Sequence, residues 1–115
     1  MYSVGTDIVK IDRLKQLSND DKFLSKIFTD KEIEYCKTYS EPFIHFSGKY
    51  AAKEAVKKAL LSKSIIKSIS LKNIEILNNE DKSPYVIIHG VNDLKSIISI
   101  SHDGEYAIAF VLIEK

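Results

Sequence analysis

Residues Phe43–Leu61 set the strongest constraint on what this chain can fold into. Ala52, Ala55, Val56 and Ala59 recur at helical spacing and share one face. Small side chains on the buried face of a long helix let a neighbouring layer approach closely, and a sheet is the layer that presents a flat surface. Pro42 stands where such a helix begins. Ahead of it, Tyr2–Val9 is β-branched and loosely alternating, with Val4, Thr6 and Ile8 on one face, and reads as a strand. Ile11–Leu17 and Phe23–Phe28 read as short helices. Between them Ser18-Asn19-Asp20-Asp21 breaks one helix and caps the next. Thr29-Asp30-Lys31-Glu32 has capping-box spacing and starts another helix, through about Tyr39. Behind the long helix, Ser68–Leu77, Tyr85–His89, Ser96–Ser101 and Tyr106–Ile113 read as strands, with turns at Asn78–Pro84 and His102–Glu105. One strand, a helical block, then a run of strands predicts an α+β fold, an antiparallel sheet packed on a long helix, with the last two strands forming a hairpin.

The chain has 115 residues, which is one domain, 1–115, with no room for separate cofactor and substrate lobes. A site needing two walls would borrow the second from another subunit. Lys and Arg number 17 against 16 Asp and Glu, a net charge of +1, which argues against a nucleic-acid binder. Cys36 is the single cysteine, so neither an intrachain disulfide nor a cysteine-based zinc site can form within one chain. The N-terminus has no signal-peptide pattern, and no apolar run approaches the ~18 residues of a membrane helix. The expected compartment is the cytoplasm.

Three places carry chemistry. Asp7 interrupts an apolar strand, which is locally unfavourable; it shares a face with Gly5 and Val9, and an exposed strand face or strand end would accommodate it. Glu54 lies inside the long helix four residues before Lys58, a spacing that also suits an ordinary surface ion pair. His102-Asp103-Gly104 follows a strand, where the histidine would serve as ligand, base or anion contact, and where Asp-Gly is equally a common hairpin turn.

Together these segments resemble one family, the holo-acyl-carrier-protein synthases, which are small phosphopantetheinyl transferases. Val4-Gly5-Thr6-Asp7-Ile8-Val9-Lys10-Ile11-Asp12-Arg13 is similar to the family's N-terminal G-[LT]-D-I-V-x-I-x-R pattern. Lys49-Tyr50-Ala51-Ala52-Lys53-Glu54-Ala55-Val56-Lys57-Lys58-Ala59 is similar to its [RK]-[FWY]-A-x-K-E-A-x-x-K-A signature. Ser99-Ile100-Ser101-His102-Asp103 is similar to its S-[IL]-S-H-[DT] ending. The three blocks occur in order and span nearly the whole chain.

The resemblance implies the single-module phosphopantetheinyl transferase fold and a reaction. A carrier serine attacks the pyrophosphate of coenzyme A, takes the 4′-phosphopantetheine and releases adenosine 3′,5′-bisphosphate, in support of fatty acid biosynthesis. By the same resemblance Asp7 and Glu54 are the carboxylates that hold Mg²⁺, a hard cation suited to one or two carboxylates plus phosphates and waters. Lys58 contacts coenzyme A phosphate at the reacting centre, so Asp7, Glu54 and Lys58 form the catalytic set. Lys49 is a further phosphate contact, and Pro84 and His102 line the coenzyme A site. Arg13 and Lys22 face the acidic apo-acyl carrier protein. The family assembles as homotrimers with sites between subunits. Two departures stand out. Leu60–Lys67 lacks the glycine-rich phosphate turn seen after the long helix in many members, leaving Ser62, Lys63 and Ser64 to hold phosphate through side chains. Glu41-Pro42-Phe43 stands where some members have basic residues. The alternative reading is a non-catalytic coenzyme A or carrier-protein binding module on the same fold.

Overall fold

The computed structural model describes all 115 residues. Strand β1 (Tyr2–Lys10) leads into three short helices, α1 (Ile11–Leu17), α2 (Asp21–Ile27) and α3 (Asp30–Lys37), and then the long α4 (Pro42–Ser62). Four strands follow: β2 (Ile74–Asn78), β3 (Pro84–Ile88), β4 (Lys95–Asp103) and β5 (Tyr106–Glu114). Strands β1, β5 and β4 form one antiparallel sheet in that order, and β2 pairs with β3 in a separate antiparallel hairpin. The expected α+β architecture is present, as is the β4–β5 hairpin.

Helix α4 crosses the inner face of the three-stranded sheet, and its small residues explain how closely. A Cβ built on Gly5 would stand 1.9 Å from the Ala55 carbonyl oxygen, so only glycine fits beneath the helix there. Ala51, Ala52, Ala55, Val56 and Ala59 meet Val9, Ala107, Ala109, Val111 and Ile113 in the core. Face alternation in β1 follows: Ser3, Gly5 and Val9 point inward, while Val4, Thr6 and Ile8 point out. Asp7 therefore belongs to the helix-facing side, not to an exposed strand face.

The helical block forms where capping dictates. Asp20 Oδ1 accepts from the amides of Lys22 and Phe23 at 2.9 and 3.3 Å, opening α2. The expected capping box is complete: Thr29 Oγ1 accepts from the Glu32 amide, and Glu32 Oε1 accepts from the Thr29 amide at 2.8 Å. Two strand boundaries differ from expectation by more than one residue. The segment read as a strand over Ser68–Leu77 is a 3₁₀ turn at Leu71–Asn73 followed by β2. The buried Lys53 ammonium accounts for this by donating to the carbonyls of Leu71 and Ile74 at 3.0 and 2.7 Å, a tertiary demand that overrides β propensity. At the other end β4 runs on through His102 and Asp103, so the turn is only Gly104-Glu105, with Gly104 at φ +58°.

Candidate active site

The close crossing of β1 under α4 positions the first pair of side chains. With Gly5 pressed against Ala55, Asp7 lies beside the next turn of the helix, where Lys58 projects. The Lys58 ammonium donates to Asp7 Oδ1 at 2.9 Å and to the Thr6 carbonyl at 3.1 Å. Helical spacing alone would pair Lys58 with Glu54; the structure pairs it across the layers with Asp7 instead. The Asp7 side chain retains 17 % exposure and Lys58 56 %, so the pair sits at the surface end of the inner face. Glu54, half-buried, stands one helical turn before Lys58.

The end of α4 is closed by local hydrogen bonds. The Ser62 hydroxyl turns back onto the Ala59 carbonyl at 3.2 Å and meets Ser3 Oγ at 3.2 Å. The amides of Ser64 and Ile65 donate to Leu61 and Leu60 carbonyls, closing the helix. Ser64 takes the left-handed conformation, φ +52°, that glycine usually occupies at this position. Lys63 at the C-cap and Ser64 are both exposed.

A cleft of about 270 Å³ opens on the same helix-covered face, toward the β4 edge of the sheet. Its walls are Tyr35 and Tyr39 of α3, Ile44, His45, Gly48 and Lys49 of α4, Asn78, Lys82 and Pro84 of the β2–β3 hairpin, and Ile100 and His102 of β4. Pro84 and His102 thus share one cavity, as the sequence implies. The His45 ring stacks on Tyr39 at 3.5 Å and 18°, and Tyr39 shares a 2.8 Å hydrogen bond with the Tyr35 hydroxyl. Burial lowers the His45 pKa, with the positive charge of His102, Lys49 and Lys82 acting in the same direction. Val9, Ala107 and His102 stand in one row across the three strands, and Asp7 lies two residues along β1 from Val9, so Asp7 and His102 project from the same sheet face, about 12 Å apart.

Lys49 lines the cleft with its ammonium already engaged in the wall. Its ammonium donates to the Ile76 carbonyl and to Asn78 Oδ1, both at 2.6 Å, and lies 4.6 Å from the Tyr35 ring centre. Lys53, in the same signature, is fully buried and salt-bridged to Glu32 at 2.7 Å. Glu32 also accepts from the Ile76 amide at 2.8 Å. Burial lowers the pKa of both lysines, and the Glu32 carboxylate opposes that. These residues staple α3, α4 and β2 together beneath the cleft. Burial pushes the neighbouring Cys36 thiol up to about 12, which makes it a packing residue rather than a nucleophile. Arg13 is exposed on α1, with its guanidinium 5.5 Å from the Tyr50 ring centre. Lys22 is exposed too, but on α2 rather than on the first helix. Sequence reasoning passed over Tyr35, Tyr39, His45 and Lys82, because nothing in their local spacing shows that three separate segments converge.

A family model described as the 4′-phosphopantetheinyl transferase superfamily matches residues 3–111. The chain belongs to this superfamily. Among relatives, the holo-[acyl-carrier-protein] synthase of Thermodesulfovibrio yellowstonii is 48% identical over 112 residues, covering 96% of each chain. That of Clostridium perfringens is 40% identical over 127 residues, covering 99% of this chain and 94% of the relative. Among solved structures, the Chronobacterium ammoniagenes acyl-carrier-protein synthase–coenzyme A complex matches with a TM-score of 0.82 and 29% identity over 98% of this chain and 96% of its own. The Helicobacter pylori holo-[acyl-carrier-protein] synthase in complex with coenzyme A gives 0.77 and 32%, over 96% and 99%. As a member of the superfamily, the chain is a phosphopantetheinyl transferase with the fold those structures share.

Proposed function

We propose that this phosphopantetheinyl transferase moves 4′-phosphopantetheine from coenzyme A to a serine of apo-acyl carrier protein, releasing adenosine 3′,5′-bisphosphate, and so supports fatty acid biosynthesis in the cytoplasm. The observation that carries the reading is the Asp7–Lys58 pair, with Glu54 one turn away, on the same sheet face as the His102 cleft. Relatives of nearly equal length are holo-[acyl-carrier-protein] synthases, and two of the matching structures hold coenzyme A.

The donor set suits Mg²⁺. Asp7 already directs one oxygen at a cation, the Lys58 ammonium, and Glu54 adds a second hard oxygen donor. No cluster of three or more metal-ligating side chains exists, which accords with a cation that takes most of its ligands from phosphates and water. Bound Mg²⁺ would neutralise charge at the transferred phosphoryl group. Asp7 and Glu54 would hold it. Lys58 supplies positive charge from the exposed side, where the departing nucleotide gains negative charge. Asp7 is positioned to take the serine proton through water. The His45–Tyr39 stack, Pro84 and His102 receive the nucleotide end of coenzyme A. Arg13 and Lys22 present exposed positive charge to an acidic carrier.

A trimer is part of the same proposal. The outer face of the three-stranded sheet leaves large apolar side chains in solvent, Ile97 at 68 % and Ile8 at 60 % exposure, joined by Val4, Ile108 and Phe110. A contiguous apolar sheet face of this kind marks an association surface, and neighbouring copies of the chain are the occupants assigned to it.

The deciding experiment is mass spectrometry of apo-acyl carrier protein incubated with this protein, coenzyme A and Mg²⁺. The carrier gains one phosphopantetheine, and EDTA abolishes the gain. Asp7→Asn folds normally and loses at least a hundredfold in rate, in line with the loss of one preorganised charge partner. Coenzyme A binding without any transfer would favour the binding module instead.

A further inference from the structure

One cation in the nucleotide cleft has no partner within the chain. Lys49 is held by the Ile76 carbonyl and Asn78. The Lys82 ammonium makes neither an ion pair nor a hydrogen bond; it lies 5.8 Å from the Tyr39 ring centre, at the mouth of the cleft. Its backbone is unusual as well. Lys82 has φ +72°, a left-handed conformation unfavourable for any side chain with a Cβ. Its surroundings enforce it. The Lys82 amide donates to the Asn79 carbonyl, the Asn78 side-chain amide donates to the Lys82 carbonyl, and the Asn79 amide donates to the Ser83 carbonyl, each at 2.9 Å. Asp81 Oδ1 accepts from the Ser83 amide at 3.0 Å. A hairpin that pins a lysine where glycine would sit without strain keeps that side chain for a purpose.

The geometry points to Lys82 as the residue that reads a phosphate monoester on the ribose of the bound nucleotide, and so selects coenzyme A over its 3′-dephospho form. This rests on the proposed coenzyme A reading. The cleft is small enough to hold one nucleoside phosphate rather than the whole donor. Tyr39 and His45 stack on each other in its wall, and Lys82 overhangs the Tyr39 ring. His102 shares the same wall system. Lys82, His102 and His45 are thus the basic groups of the cleft that no hydrogen bond within the chain already holds, and of these Lys82 is the one ammonium. Lys82 is thus a phosphate contact in addition to the one that the family resemblance implies for Lys49.

Two readouts test it. Transfer to apo-acyl carrier protein is measured with coenzyme A and with dephospho-coenzyme A, for the wild type, Lys82→Met and Lys82→Gly. The ratio of kcat/KM for the two donors is expected to fall about tenfold in both variants, the loss of one charge-assisted contact. Lys82→Gly, which relieves the backbone, is expected to melt no lower than the wild type. That combination separates a role in recognition from a role in folding. An unchanged ratio overturns the assignment, as does an equal loss with both donors. Should the wild type transfer nothing, the coenzyme A reading itself fails. Calorimetry of adenosine 3′,5′-bisphosphate against adenosine 5′-monophosphate then decides Lys82 separately: a preference for the bisphosphate that Lys82→Met removes sustains the inference, and no preference ends it.

Discussion

Lys53 and Lys58 are five residues apart on one helix and do opposite work. Lys58 reaches the surface and meets Asp7; Lys53 is sealed against Glu32 and two backbone carbonyls. Replacing Lys53 with Met leaves Glu32 buried with backbone amides as its remaining donors. The expected cost is about 3 kcal/mol, a fall of roughly 12 °C in Tm by calorimetry, at the lower end for a broken buried pair because those amides persist. His45 gives a pH dependence. Its pKa in the folded protein is lowered from 6.5, first by burial and then by His102, Lys49 and Lys82. The unfolded chain therefore takes up the proton first as pH falls, so the stability tied to neutral His45 is present above about 6.5 and lost below it. Thermal melts between pH 7.5 and 5 should show Tm falling, and His45→Gln should flatten that fall. Asp7 was legible as an odd residue in an apolar strand, but its face was not. That depends on which side of β1 the helix covers.

Among the elements, the β1–α4 crossing governs the site. Every inward residue of β1 from Ser3 to Val9 is placed by how closely Gly5 approaches Ala55. Gly5→Ala puts a methyl group against a backbone carbonyl that cannot rotate away, so the helix must lift. The expected result is a loss of about 3 kcal/mol in stability by denaturant melts, with a larger fractional loss of transfer, because Asp7 and Lys58 part together. The alanine stripe in the sequence predicted a close sheet contact and the capping box predicted the start of α3; both are present. The strand expected over Ser68–Leu77 begins at Ile74 because a buried lysine from another element claims its carbonyls. The end of α4 is likewise decided by neighbours: Ser62 meets Ser3, a residue near the N-terminus.

For the whole molecule, the open outer sheet face is the dominant feature. A monomer would keep Ile8, Ile97 and Phe110 in water, at a cost of a kcal/mol or more for each side chain left exposed. Ile8→Lys, which lies on the face opposite Asp7, should convert the proposed trimer to monomer in light scattering, and transfer should fall with it if sites lie between subunits. A monomeric wild type with full activity would contradict the assembly. No helix is long and apolar enough to cross a membrane.

Local physics was enough for much of this protein. Helical spacing, caps and β-branched runs determined the elements and their order, and the three motif blocks determined the family, because each depends on residues near one another in the chain. The tertiary structure decided the rest. It paired Lys58 with Asp7 rather than Glu54, buried Lys49 and Lys53, turned Ser62 inward, and gathered Tyr39, His45, Lys82 and His102 into one cleft. Each of these is set by where distant segments meet, and desolvation and hydrogen bonding at those meetings outweigh what any short stretch of sequence prefers.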